Sequence, residues 1–190
     1  AVKVNTGGTG LEFGSAGGLV LLNTTDVTSA VSTVTFDSSL ITDTYSKYIL
    51  EYEGLKPVTD NVAFRSRYST NNGSSFLTGT FNYGYQYTAL GAASTGGSGN
   101  GKSDYAVNDY PAGNNANHQY AGTYHINGMR DTGSYLTIRH EWIQENSTDN
   151  TYVSQEGWVI EDVSVINFIE FSFASGNIAD GTFSLYGLAK

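Results

Sequence analysis

Apolar and polar residues alternate with period two along most of the chain, and the pattern is strongest over residues 163–188. There Ile169, Phe171 and Phe173 alternate with Phe168, Glu170 and Ser172. Phe183 and Leu185 alternate in the same way with Ser184 and Tyr186. Period two puts each set on one face of a β-strand. Gly176, Asn177, Asp180 and Gly181 lie between the two runs and supply tight or left-handed backbone. Two strands joined by a turn are predicted, and their apolarity makes them candidates for the centre of a sandwich.

The same alternation predicts further strands. Residues 19–23 and 31–36 are short apolar or alternating runs. Over 47–53, Tyr48, Leu50 and Tyr52 alternate against Ile49 and Glu51; over 62–69, Val62, Phe64, Ser66 and Tyr68 alternate against Ala63, Arg65 and Arg67. Residues 69–75 read as a turn, with Asn72-Gly73 as a hairpin signal. Residues 78–89, 123–127 and 135–143 alternate again, the last two around a turn at 128–133, and 158–161 open the closing block. Residues 91–117 are polar and rich in Gly, Ser and Asn, which predicts a long loop. Residues 24–32 come nearest to a helix but hold too much Thr, Ser and Val. Residues 1–18 predict an extended arm or hinge, anchored through Val2, Val4, Leu11 and Phe13. The expected architecture is all-β: an antiparallel β-sandwich, jelly-roll-like, over 19–190 after the arm.

Composition agrees with one β-domain. The chain has 190 residues, enough for a sizeable single core, with 23 Gly and only 2 Pro. The net charge of −9 leaves no sheath of Lys and Arg, which argues against a nucleic-acid partner. Without Cys there is neither disulfide nor thiolate metal site. No apolar run is long enough to span a membrane, and no signal-peptide pattern is visible.

Several motifs invite chemistry. Residues 96–103, Gly-Gly-Ser-Gly-Asn-Gly-Lys-Ser, satisfy the P-loop pattern. That motif works between a buried strand and a helix whose N–H groups cradle phosphate, and neither flank predicts one. A flexible loop is expected instead. His118, His125 and His140 could be combined with acids and serines, but no nucleophile elbow is present. His140 is in phase with Leu136, Ile138 and Trp142, which predicts a core position. Glu141 with Glu145, and Glu156 with Glu161, are the carboxylate pairs a glycosidase would need. Asp104 with Asp109, and Asp149 with Asn150, lack EF-hand spacing. No cofactor or metal is expected.

Tyr83, Tyr85, Tyr87, Tyr105, Tyr110, Tyr120 and Tyr124 are interleaved with Asn, Gly, Ser and Gln. Tyrosine gives contact area at low entropic cost, and the small polar residues give adaptable hydrogen bonding. Such a surface suits glycan or protein recognition. Equally, it suits packing between subunits.

Residues 175–188, Ser-Gly-Asn-Ile-Ala-Asp-Gly-Thr-Phe-Ser-Leu-Tyr-Gly-Leu, resemble the C-terminal signature of a family of tailed-bacteriophage virion proteins of tail-fibre type. Residues 48–55 and 64–76 are similar to that family's first block, and residues 2–14 resemble a junction segment of phage fibres. The resemblance implies a non-enzymatic virion surface protein, a fibre-type module for attachment. A capsid decoration protein is the alternative, and a glycan depolymerase a weaker one. It further implies a homo-oligomer, a trimer, with other virion proteins gripped by the arm and a host glycan or protein as receptor.

Overall fold

The computed structural model describes residues 2–4, 7–13, 18–78, 81–89, 93–102, 106–107 and 110–189. Among these, all regular structure is strand: β1 (Val2–Val4), β2 (Leu11–Phe13), β3 (Leu19–Val27), β4 (Val34–Phe36), β5 (Tyr45–Pro57), β6 (Phe64–Ser69), β7 (Phe81–Ala89), β8 (Thr95–Lys102), β9 (Ala106–Val107), β10 (Tyr120–Asn127), β11 (Leu136–Glu145), β12 (Thr151–Ile160), β13 (Phe168–Phe173) and β14 (Ile178–Ala189). An eight-stranded sheet runs in the order β3-β14-β5-β10-β11-β12-β7-β8, and a four-stranded sheet in the order β4-β13-β6-β9. Pairing is antiparallel throughout. The expected all-β sandwich is the observed fold.

Alternation fixes which side of each strand is buried. On β13, Ile169, Phe171 and Phe173 point inward; on β14, Phe183 and Leu185 do. Phe171 lies 5.9 Å from Phe64 within its own sheet, and 5.4 Å from Tyr124 and 6.0 Å from Phe183 in the facing sheet. Tyr52 meets Phe64, Tyr120 and Phe183 from the other side. These rings form the centre of the core.

Strands β5, β6, β13 and β14 help to supply this centre. β14 pairs with β5, with Leu185 opposite Leu50, and β13 pairs with β6, with Phe171 opposite Ser66. β13 and β14 are interior strands, as their apolarity predicts, but they do not form a hairpin. The turn between them carries the chain from the small sheet to the large one. Residues 24–27, the nearest approach to a helical pattern, complete strand β3. The Asn72-Gly73 signal marks real left-handed backbone, with φ of 56° and 84°. Yet the next strand, β7, pairs with β12 and β8 rather than with β6, so the turn closes no hairpin. Ser69 Oγ holds it by accepting from the Asn71 and Gly73 N–H groups.

The long loop expected over 91–117 requires the largest correction. Its first half contains β8, which pairs along β7 and forms one edge of the large sheet. A Cβ on Gly97 would fall 2.7 Å from Tyr85 Oη, and one on Gly99 would fall 2.7 Å from the Tyr83 ring. The tyrosine rings of β7 therefore occupy the space where side chains of β8 would stand. Glycine, read in sequence as loop composition, is here the condition for a strand beneath a ring ladder. The P-loop-like letters of 96–102 are thus extended, with backbone groups engaged in the ladder with β7. The described part of the expected arm is the β1–β2 ribbon, with Val2 opposite Phe13 and Val4 opposite Leu11.

Candidate functional site

The predicted tyrosines separate into two groups. Tyr120 and Tyr124 are buried in the core at 1% and 0% exposure. They pack between the sheets and offer nothing to a ligand or a second subunit, which corrects the expectation of a surface role. Tyr83, Tyr85 and Tyr87 are half-buried and stacked along β7, with centroids 6.2 and 6.0 Å apart. Tyr110 closes one end of this ladder, 4.0 Å from Tyr87 and 4.8 Å from Tyr152. Its loop is fastened by the buried Gln144, whose Nε2 donates to the carbonyls of Tyr110 and Pro111. Tyr105 lies outside the described residues, as do Asp104 and Asp109.

Of the histidines, His140 sits in the core as its phase predicts, at 0% exposure. Its Nε2 is 2.7 Å from Tyr52 Oη, and its Nδ1 is 3.5 Å from Glu156 Oε2. The tautomer with the proton on Nδ1 suits both contacts: Tyr52 donates to Nε2, and N–H faces the carboxylate. Trp142 Nε1 donates to Glu156 Oε1 at 2.7 Å, and Tyr124 stacks 3.8 Å from the imidazole. Burial holds His140 below the usual histidine range, with Glu156 opposing that shift. Hydroxyl, imidazole and carboxylate thus stand in a catalytic order, but their side chains are sealed between the sheets. Their place makes them a polar tie within an aromatic core. His118 is also buried, and its Nε2, 2.7 Å from Asp149 Oδ1, ties two neighbouring loops. Asp149 is lowered chiefly by that hydrogen bond. The carboxylate pairs expected from sequence divide as well: Glu156 faces the core, while Glu161 is exposed and accepts from Asn82.

The structure does provide an opening on the outer face of the large sheet. A groove of about 590 Å³ crosses β14, β5, β10, β11 and β12. Tyr52, Trp142 and Ser154 contribute to its floor, although their side chains turn to the core. The walls come from the opposite parity of the same strands. Register explains their order. Ser184 is opposite Glu51, Glu51 opposite Thr123, Thr123 opposite Glu141, Glu141 opposite Gln155, and Gln155 opposite Gln86. Residues directly opposite share a face, so these six form one polar row across six strands. Gln155 Nε2 donates to Glu141 Oε1 at 3.4 Å within the row.

Rows of the same parity flank the polar row on the outer face, and the groove is lined by Tyr186 from one and by Ala121, Ile143 and Val153 from the other. In one, Tyr186 is opposite Ile49, Ile49 opposite His125, and His125 opposite Arg139. Burial, then Arg139, holds His125 below the usual histidine range. In the other, Ala121, Ile143 and Val153 stand opposite one another, with Ile143 and Val153 48% and 45% exposed. Near one end, register shifts between β5 and β14 accompany Gly54 and Gly181, both at positive φ. Bulges of this kind bend a sheet and re-aim its side chains.

Sequence reasoning missed this site. Each contributing strand simply alternates polar residues outward, and only the register brings one from each strand into a row. No protein-family model, curated protein or solved structure matches the chain.

Proposed function

We propose that this chain is a non-enzymatic binding module on the surface of a tailed-phage virion, of fibre type, serving attachment. The observation that carries the reading is the outer face of the large sheet. It is an open, side-chain-built groove on paired strands, where rigid backbone holds recognition groups in place. The resemblance of residues 48–55, 64–76 and 175–188 to phage virion proteins supplies the biological setting. The hydroxyl–imidazole–carboxylate group of Tyr52, His140 and Glu156 is enclosed, which supports binding rather than turnover. A trimer, gripped at the virion through the N-terminal ribbon, completes the proposal, and no cofactor enters it.

The test is labelling of particles. An antibody against the chain, imaged on virions by electron microscopy, is expected to mark tail fibres, at a few to dozens of copies per particle. Hundreds of copies spread over the head would make the chain a capsid decoration protein instead. Absence from purified particles would end the virion reading.

A further inference from the structure

We infer that the outer-face groove binds a neutral or amino-sugar oligosaccharide laid across the strands, along the polar row from Ser184 to Gln86. This rests on the attachment reading and names the class of receptor for it.

The first argument is the chemistry of the row. Glu51 and Glu141 bring carboxylate acceptors, Thr123 and Ser184 hydroxyls, and Gln155 and Gln86 amides. Acceptors outnumber donors. The complementary ligand is rich in donors, and vicinal hydroxyls are the densest array of neutral donors in biology. The second argument is spacing. Neighbouring strands are about 4.7–4.9 Å apart, so the row repeats at close to the length of one sugar ring. A ligand lying across the sheet meets a new polar group at each ring.

The third argument is charge. The chain carries −9 overall, and Arg139, a cation beside the row, stands 3.7 Å from Glu141. Phosphorylated or uronic glycans would be repelled, whereas an amino sugar would be attracted. The fourth is the apolar margin. Ile143 and Val153 are an exposed cross-strand pair beside the row, and Tyr186 offers a ring on the opposite side. Sugar rings present C–H faces as well as hydroxyls and match both. An extended peptide fits less well, because peptides add to sheets at free edges through backbone bonds. Within the groove the backbone groups are already paired, β10 with β5 and β11 on either side.

The test uses the full chain on an array of neutral, amino-sugar and anionic oligosaccharides together with extended peptides. Hits are then titrated by calorimetry. At least one neutral or amino-sugar oligomer is expected to bind. Glu141→Gln is expected to weaken that binding about tenfold, since each carboxylate hydrogen bond lost is worth roughly that factor. Thr123→Trp, which fills the groove, is expected to abolish it. Both variants should melt with the parent, and Glu141→Gln keeps the test sound if Trp disturbs the fold. Binding only to anionic sugars, only to peptides, to nothing, or unchanged in both variants overturns the inference. The fluorescent protein is also applied to a panel of bacterial strains. Cells labelled equally by parent and Thr123→Trp would leave attachment standing and remove the groove from it. No labelling of any strain, with array binding intact, would count against attachment alone.

Discussion

At the scale of single residues, the core is most sensitive at Phe171. Its ring is fully buried and touches Phe36, Phe64, Tyr124 and Phe183. Phe171→Ala should cost about 3–5 kcal/mol, the usual sum of lost burial and an unfilled cavity. Chemical denaturation measures this, and a loss within 1 kcal/mol would remove Phe171 from the core. Sequence alone would leave Tyr110→Ala nearly silent, because that residue precedes a proline in a polar stretch. Its contacts with Tyr87 and Tyr152 predict a measurable loss instead, smaller than that of Phe171 since Tyr110 is only half-buried. His140 adds a pH dependence. Its folded pKa lies below the ordinary value of about 6.5, so the unfolded chain binds the proton more readily. The contribution is intact above that ordinary value and shrinks as pH falls from there toward the folded pKa. Histidine NMR should place the His140 midpoint below the ordinary value, with stability declining below pH 6.5. A midpoint at or above it would contradict the burial argument.

At the scale of elements, glycines set the strand surfaces. Gly122 lies at the register shift between β10 and β5. A Cβ there would meet Tyr52 Oη and would come within 2.6 Å of the Glu141 carbonyl oxygen. The tyrosine can turn, but the carbonyl belongs to the ladder and cannot. Gly122→Ala should therefore destabilise by about 1–3 kcal/mol, as overpacking does. Gly84→Ala is its control, since the nearest atom there is 3.9 Å away. Equal melting of the two variants would defeat the argument. The strand β8 carries a prediction of its own: its P-loop-like residues lack the helix N-terminus that cradles phosphate, so no saturable ATP binding is expected by calorimetry. Period two made most strands legible in advance, including the buried sides of β13 and β14. It failed at β8, where glycines carry no alternation and the cause of the strand is a set of rings on β7. It also could not assign partners. Whether Glu51 stands beside Thr123, or β13 faces β14 across the core, depends on contacts between residues far apart in sequence. The groove was hidden for that reason.

At the scale of the whole molecule, the open question is what covers the edges of the large sheet. One edge is β8, padded by the tyrosine ladder. The other is β3, and it begins with Leu19, Val20 and Leu21 exposed at 49%, 42% and 54%. Leu21 is opposite Tyr186 and Leu19 opposite Leu188, so the two leucines extend an apolar strip of the outer face to the very edge. Val20, between them, turns the other way. Natural sheets protect such an edge with charge, proline, a bulge or a partner. β3 has a register shift between its partners Leu185 and Tyr186 and one charge, Asp26, both away from Leu19 and Val20, and it holds no Lys, Arg or Pro. Bulge and charge still leave Leu19 and Leu21 exposed, and self-association is the simplest way to cover them. We expect light scattering at micromolar concentration to give a homo-oligomer, with three copies as the proposed number. Leu19→Lys with Leu21→Lys should shift it towards monomer. Neither side chain is buried, so the double variant should melt close to the monomeric parent's limit. A parent that is a monodisperse monomer, or a double variant that assembles as the parent does, would show that β3 is not the contact.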